Sequence, residues 1–189
     1  MTRRTPSIGA EGMGLARSAR LRVAAALIAS AMLAVLLTLS GIAAAPVAAS
    51  SLCTASQLSV RIVDWQGAAG SRIADIFLVN TSFVSCTVRN YPRVNLVSSH
   101  GVVMIGGGAA STTAALHTLA PLGFLKSEVE AGNYCGPAFT KPVTLTFTLP
   151  GSLGRVVAIP RSSADVSGVP PCNGSPGSAG HISMHAWHT

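Results

Sequence analysis

The sequence predicts an all-β fold: an antiparallel, immunoglobulin-like β-sandwich that follows an N-terminal signal or transmembrane helix. Three observations carry this prediction. After residue 50 the apolar residues recur in short stretches, many of which alternate with polar residues. Turns rich in Gly, Pro and Asn separate these stretches, and none of them keeps a helical period of 3.6 residues. Short strands at regular spacing between such turns are typical of sandwiches.

The first 49 residues have the layout of a secretory signal. Arginines precede an uncharged apolar block, 23–39, and small residues follow that block as far as Ser50. Cleavage after Ala49 would place Val47 and Ala49 at the two positions that must fit small pockets of the signal peptidase. We therefore predict a signal peptide over 1–49 and a single sandwich domain over 50–189.

An uncleaved signal anchor is the alternative. The apolar block is close to the lower length limit for a membrane-spanning helix, and residues 42–45 extend it to spanning length. The arginines would hold its N-terminal side inside the cell. Residues 23–45 would then anchor the domain to the membrane. Under either interpretation, the domain is secreted or lies in the cell envelope.

The net charge of +7 is a poor guide to partners. Residues 1–49 carry five arginines and one glutamate, a net charge of +4, whereas residues 50–189 carry eight basic and five acidic residues, a net charge of +3. The basic residues after position 50 are scattered and form no run interleaved with aromatics, which is the pattern typical of nucleic-acid binding. We therefore expect no nucleic-acid partner.

All four cysteines lie after the export segment, at Cys53, Cys86, Cys135 and Cys172. An even number of cysteines in an exported chain predicts two disulfides. Three pairings are open, and the sequence alone does not choose among them. We favour Cys53 with Cys86 and Cys135 with Cys172. A zinc site is not favoured, because the sequence contains no Cys-x-x-Cys spacing.

The first strands are predicted on either side of a polar turn. Residues 58–62 alternate apolar and polar side chains, as in a half-buried strand. Residues 72–80 form a more continuous apolar run, which indicates a central strand. The sequence Asn-Thr-Ser at 80–82 predicts a turn that leads into 83–89, the expected partner of 72–80.

Two hairpins and three further strands complete the predicted sandwich. Residues 143–149 show the most regular alternation in the chain, and the turn at 150–154 leads into 155–159. The other predicted strands are 94–98, 102–105, 116–119, 124–131 and 182–187. The small-residue stretch 106–113 and the Pro/Gly/Ser-rich stretch 160–180 are predicted loops.

Four short motifs stand out: Leu-Val-Asn at 78–80, Cys-Thr-Val-Arg-Asn-Tyr-Pro-Arg-Val at 86–94, Leu-Pro-Gly at 149–151 and Pro-Cys-Asn-Gly at 171–174. Over about residues 53–187 they resemble a family of small exported actinobacterial proteins that is catalogued as a domain of unknown function. The resemblance implies an immunoglobulin-like sandwich and export. Asn90 stands where that family usually has Gly, and Leu122 interrupts its usual Pro-Gly. The family has no established activity, so the resemblance implies no catalytic residue.

The candidate metal ligands are three histidines near the C-terminus, His181, His185 and His188. On a strand, His181 and His185 would share a face at a spacing of about 13 Å, and His188 would face the other way. A helix would give a better spacing, but the flanking Gly and Ser residues disfavour one. We therefore expect a solvated tail that binds no metal or cofactor.

The candidate catalytic carboxylates are Glu128 and Glu130, which would share one face of a strand. Carboxylate pairs that act as acid and base need environments that separate their pKa values. The wet face of an edge strand is the simpler interpretation. The sequence contains neither a Gly-x-Ser-x-Gly elbow nor a His-Glu-x-x-His motif. We therefore expect no enzyme and no catalytic residue.

The remaining aromatic landmarks are expected to be structural. Tyr91 and Pro92 predict a packed corner in which the tyrosine hydroxyl returns to nearby backbone. Trp65 and Trp187 are expected to pack in the core or at its rim.

These observations together predict a non-catalytic binding or structural module whose partner is an unknown envelope or extracellular ligand. Its recognition surfaces would be the loops 106–113, 132–142 and 160–180, held at the ends of a rigid sandwich. The alternative is an envelope metal-binding protein or hydrolase that uses the C-terminal histidines.

Overall fold

Ten β-strands and two short 3-10 helices, Ala55–Gln57 and Pro150–Ser152, lie within residues 51–189, the part of the chain that a computed structural model describes. The strands are β1 (Leu58–Ala68), β2 (Ser71–Asn80), β3 (Cys86–Arg89), β4 (Arg93–Val97), β5 (Val103–Gly106), β6 (Leu116–Leu119), β7 (Phe124–Gly132), β8 (Thr144–Thr148), β9 (Arg155–Val157) and β10 (His181–Met184). The predicted signal segment 1–49 and its apolar stretch 23–45 lie outside the described residues. Within 51–189, no helix has the length and apolar character needed to cross a membrane.

The strands form two four-stranded antiparallel sheets and one short ribbon. Sheet I has the order β1-β2-β7-β10, and sheet II has the order β5-β4-β8-β9. The ribbon pairs β3 with β6, also antiparallel. The all-β, antiparallel prediction is confirmed.

A single apolar core joins the two sheets and the ribbon. Val60, Ile76 and Val129 face it from sheet I, whereas Leu145 and Phe147 face it from sheet II; all five are almost fully buried. In β1 the buried positions alternate with more exposed ones, as the sequence pattern predicts. Each buried side chain of this size contributes roughly 1.5–3 kcal/mol to the free energy of unfolding. In sheet I the alternating apolar residues therefore fix which face turns inward, whereas β4 and β8 of sheet II are buried on both faces.

The pairing of the third strand corrects a prediction. We expected residues 83–89 to pair with the strand that ends at Asn80, but β3 begins only at Cys86 and pairs with β6. Both sides of β2 are already occupied by β1 and β7. Residues after Asn80 bend away instead of forming a hairpin, because the buried side chain of Asn80 binds the backbone of Ser82 and Val84.

The sandwich has two distinct ends. At the entry end the described chain begins, β1 starts opposite the last residue of β2, and β7 starts beside them. The turn between β8 and β9 is also here, because the Ala55 amide donates to the Leu153 carbonyl. The opposite end, which we call the groove end because a cavity opens there, carries the β1–β2 turn, the β4–β5 turn and the long loop between β7 and β8.

Each end carries one disulfide. Cys53 and Cys86 are joined at the entry end, where both residues are buried in the core. Cys135 and Cys172 are joined at the groove end and are more exposed. This is the pairing that the sequence analysis favoured, and the described residues hold no free cysteine.

The C-terminal tail is part of sheet I. β10 pairs with β7, and the pairing continues to His188, whose amide donates to the Lys126 carbonyl at 3.0 Å. The three histidine side chains are exposed. The strand predicted over 182–187 is present as β10, His181–Met184, and its backbone completes the sheet. β7 is consequently an inner strand, so the expectation that Glu128 and Glu130 lie on an edge strand is wrong.

The Asn90-Tyr91 junction differs from the expected tyrosine corner. Tyr91, not Asn90, adopts a left-handed backbone, with φ of 55°, and its side chain is 45% exposed. Asn90 is buried instead, and its side-chain Oδ1 accepts a hydrogen bond from the Trp187 amide. Trp65 and Trp187 are both buried in the core, as expected.

Candidate binding groove

A cavity of about 280 Å³ opens at the groove end of the sandwich. Three segments form it: the β4–β5 turn, the β7–β8 loop and residues 177–179 of the long loop before β10. Its lining residues are Ser98, His100, Val102, Val103, Met104, Tyr134, Gly136, Pro137, Ala138, Phe139, Thr140, Gly177, Ser178 and Ala179. We refer to this cavity as the distal groove.

Tyr134 forms the inner wall of the distal groove. Its ring is buried, and its hydroxyl donates to the Pro137 carbonyl at 2.6 Å, which folds the loop back on itself. The ring leaves no space for a side chain at Gly136, where an added Cβ would lie 2.6 Å from a ring carbon. This tyrosine, rather than Tyr91, is the one whose hydroxyl binds nearby backbone.

The two longer loops are joined by a covalent link and by hydrogen bonds. Beside the Cys135–Cys172 disulfide, the Asn133 side chain accepts from the Asn173 amide at 2.8 Å and donates to the Ser178 hydroxyl at 3.2 Å. The Gly177 amide also donates to the Cys135 carbonyl at 2.9 Å. The loops are therefore held in one arrangement. Loops that are already ordered lose little conformational entropy when a ligand binds.

The third segment joins through a polar rim. The Ser99 hydroxyl donates to the Thr140 hydroxyl at 2.9 Å, and the Thr140 hydroxyl lies 3.3 Å from Nδ1 of His100. The Ser99 amide donates to the Thr140 carbonyl as well. These contacts place hydroxyl and imidazole groups around an apolar floor.

The lining of the distal groove contains no Asp, Glu, Lys or Arg. Apolar walls with a few hydroxyl groups favour a neutral ligand, because a charged group would lose its hydration without gaining a partner of opposite charge. The volume is slightly below the usual range for small-molecule pockets, roughly 300–1,000 Å³. The groove is therefore suited to one neutral group of a larger molecule.

The predicted recognition loops are only partly brought together. Loops 132–142 and 160–180 meet in the distal groove. Loop 106–113 lies elsewhere, beside the start of β4, where the Ser111 amide donates to the Tyr91 carbonyl. The sequence analysis missed the β4–β5 turn with His100, because nothing in a local pattern shows that residues forty positions apart will meet.

The candidate histidines do not converge. The side chains of His181, His185 and His188 follow one another along β7, and His185 alone approaches a carboxylate, with Nδ1 at 3.5 Å from Oε2 of Glu128. Among residues 51–189, no group of three or more His, Cys, Asp or Glu side chains is arranged to hold a metal ion. This geometry gives the histidine-based alternative no support.

The carboxylates lie in a row across sheet I. Asp64 is opposite Asp75, and Asp75 is opposite Glu128, on three neighbouring strands. Each has its own polar neighbour: Arg161 at 2.6 Å for Asp64, Gln66 at 2.8 Å for Asp75 and His185 for Glu128. Side chains opposite one another share a face, so the like charges repel and these neighbours offset the repulsion.

The fold and the cross-linked groove define a disulfide-bonded β-sandwich domain with a preorganised, uncharged cavity at one end. A comparison with protein families also identifies the family of this domain. The chain belongs to the family described as a domain of unknown function (DUF4232), whose model matches residues 53–188. No curated protein and no solved structure matches the chain.

Proposed function

We propose that this protein is an exported, non-catalytic binding module that recognises a neutral group of an envelope or extracellular ligand in its distal groove. The observation that carries the proposal is the groove itself, whose three loops are fixed by a disulfide and by hydrogen bonds and whose lining is neutral. A preorganised, uncharged concave surface favours binding over acid–base chemistry.

Export is supported by the signal-like first 49 residues together with the two disulfides. Disulfides form and persist in oxidising compartments outside the cytosol. The domain would be secreted after cleavage near Ala49, or it would be held on the membrane through residues 23–45. Both outcomes place the groove outside the cytosol.

An immunoglobulin-like framework is supported by the order of the strands. Sheet II, β5-β4-β8-β9, follows the C′-C-F-G order of such sandwiches, and β1-β2-β7 of sheet I follows A-B-E. The C-terminal β10 takes the position of the fourth strand of that sheet. Loops at the end of this framework are a common recognition surface.

The test is binding of the exported domain, residues 50–189, to purified bacterial cell walls with their attached polysaccharides. We expect the domain to sediment with the walls at micromolar concentration. Ala138→Trp would fill the groove and should weaken binding at least about tenfold, because the indole occupies the space that the ligand needs.

The matched control is Ala109→Trp, which adds the same side chain to the exposed loop 106–113. It should bind the walls as the original domain does. If the original domain fails to sediment, or if both tryptophan variants bind equally well, the distal groove is not the recognition surface.

A further inference from the structure

Two large apolar side chains project at the entry end, opposite the distal groove. Phe83, in the loop between β2 and β3, is 99% exposed, and Leu122, in the turn between β6 and β7, is 76% exposed. Phe124 and Val84 beside them are about half-exposed. Isolated surface apolar residues need no explanation, but two at adjacent loop tips with apolar neighbours form a patch that does.

A buried amide holds the two tips side by side. Asn80 is fully buried, and its side-chain Nδ2 donates to Val84 in one loop, at 2.8 Å, and to Leu119 and Ala120 before the other turn, at 3.2 Å each. Its Oδ1 accepts from the Ser82 amide at 3.0 Å. The backbone of Asn80 also accepts from the Leu122 amide at 2.9 Å. The patch is therefore fixed by the core and is not a loose loop.

Leu122 occupies a backbone position that disfavours leucine. The Gly123 amide donates to the Ala120 carbonyl at 2.8 Å, which closes a β-turn with Pro121 and Leu122 at its centre. Leu122 has φ of 60°, the left-handed value that a type II turn requires at this position and that Gly adopts without strain. Neither burial nor backbone preference accounts for an exposed leucine here, and a non-glycine residue held at this backbone angle is the kind of outlier from which a functional role is inferred.

The charge around the patch has one sign. Five basic side chains lie in the half of the sandwich at the entry end: Arg61, Arg89, Arg93, Lys126 and Arg155. The described acidic side chains closest to this end form the Asp64–Asp75–Glu128 row at mid-strand. Lys126 extends over the rings of Phe77 and Phe124, with Nζ 5.6 and 5.7 Å from their centroids. A cation beside the half-exposed Phe124 ring and the less exposed Phe77 ring suits the boundary between phosphate and acyl chains.

The chain enters the domain at this same end. The Ser51 carbonyl accepts from the Thr87 amide at 2.8 Å, four residues from Phe83. In the anchored alternative, residues 46–50 would be the only link between the apolar stretch and the domain. They can span at most about 20 Å when extended, so the entry end would stay near a bilayer.

We propose that the entry end docks on the surface of an anionic phospholipid bilayer, with Phe83 and Leu122 inserted at the headgroup level and the surrounding basic side chains against lipid phosphates. Apolar insertion and electrostatic attraction to anionic lipid together give interfacial binding. This proposal concerns a surface distinct from the distal groove and does not depend on the ligand of that groove.

The experiment uses residues 50–189, because all ten strands, the core and both disulfides lie within this segment and because residues 23–45 would bind lipid by themselves. Co-sedimentation is measured with vesicles of phosphatidylcholine and phosphatidylglycerol in equal parts, and with phosphatidylcholine alone. We expect about tenfold stronger binding to the anionic vesicles, and a loss of that difference at high salt.

The variants Leu122→Gly and Phe83→Ser should each weaken vesicle binding several-fold, and together at least about tenfold. Leu122→Gly also relieves the strained backbone, so its midpoint of thermal unfolding should be unchanged or higher. Weaker binding by a variant that is as stable as the original domain separates lipid contact from folding. The control is Val157→Ser, which removes an apolar side chain of 56% exposure from the flank of the sandwich.

Three results would overturn the proposal. The first is that the original domain does not bind anionic vesicles, and the second is that the tip variants bind as well as Val157→Ser. Sedimentation velocity could instead show a dimer that the tip variants dissociate, in which case the patch is an interface with a second copy of the chain.

Discussion

The backbone amide of Trp187 donates a hydrogen bond to side-chain Oδ1 of Asn90 at 2.7 Å, across 97 positions of sequence. Both residues are buried, and the Trp187 ring lies 6.2 Å from that of Phe147 in the core. This hydrogen bond holds the segment that follows β10 against the junction between β3 and β4.

Asn90→Ala should therefore destabilise the domain. The substitution leaves the buried Trp187 amide without an acceptor, a loss of about 1–3 kcal/mol in the free energy of unfolding. Guanidinium unfolding followed by tryptophan fluorescence measures it. Asn173→Ala, at an exposed asparagine, should stay within about 0.5 kcal/mol of the original. Equal stability of the two variants would contradict the role assigned to Asn90.

Asn80→Ala should have a larger effect. The two Nδ2 hydrogens of Asn80 are shared among three carbonyl groups, and its Oδ1 accepts from the Ser82 amide, so the substitution removes up to three hydrogen bonds in or near the core. We expect a loss of about 2–4 kcal/mol, because each hydrogen bond contributes about 0.5–1.5 kcal/mol. The measurement is again the free energy of unfolding. Thr81→Ala in the same loop is the control, because its hydroxyl makes one exposed hydrogen bond.

The two disulfides should contribute differently to the free energy of unfolding, although they close loops of similar size, with sequence separations of 33 and 37. Loop closure alone predicts roughly 3–4 kcal/mol for each. Cys53 and Cys86 are also part of the core, so C53A/C86A adds a cavity and should be the more destabilising double variant. Thermal unfolding compares the two.

C135A/C172A should keep the sandwich but loosen the distal groove. We expect near-original strand content by circular dichroism together with weaker binding to cell walls. Mild reductant should reduce the exposed Cys135–Cys172 bond first, which mass spectrometry of alkylated peptides detects. Prior reduction of Cys53–Cys86 would contradict the difference in burial.

Gly136→Ala should disturb the distal groove, because its Cβ would press on the buried ring of Tyr134. We expect a loss of about 1–3 kcal/mol in the free energy of unfolding, the usual effect of overpacking. Gly108→Ala is the matched control, since nothing lies within 4 Å of its added Cβ. Its stability should be unchanged or slightly raised through lower chain entropy in the unfolded state.

Local patterns located the longer strands but not all of their limits. β2 and β8 lie within one residue of the predicted 72–80 and 143–149, whereas β1 continues to Ala68, six residues beyond the predicted 58–62. The alternating pattern ends at Ile62, because the register of β1 shifts between Ile62 and Asp64. The pairing of strands that are far apart in the sequence was harder to predict. The pairing of β3 with β6 depends on the burial of Asn80, and a polar residue in a turn sequence carries no signal that it will be buried.

The distal groove was only half predictable for the same reason. Two of its loops could be named because they are long and rich in Gly, Pro and Ser, and the favoured disulfide joins them. The third segment, with Ser99 and His100, is a short turn whose contact with Thr140 arises from sheet order alone. The strained conformation of Leu122 likewise depends on the fold of the β6–β7 turn, although its departure from a Pro-Gly pattern is visible in the sequence.

The position of β10 has a consequence for how the molecule is assembled. The outer edge of sheet I is supplied by β10, which follows β8 and β9 in the chain, so β7 has an unpaired edge until residues 181–184 have been synthesised and have docked. An unpaired edge is a template for association with other chains. A chain that lacks residues 181–189 should consequently self-associate, so truncation before His181 would yield an aggregating product rather than a shortened functional one.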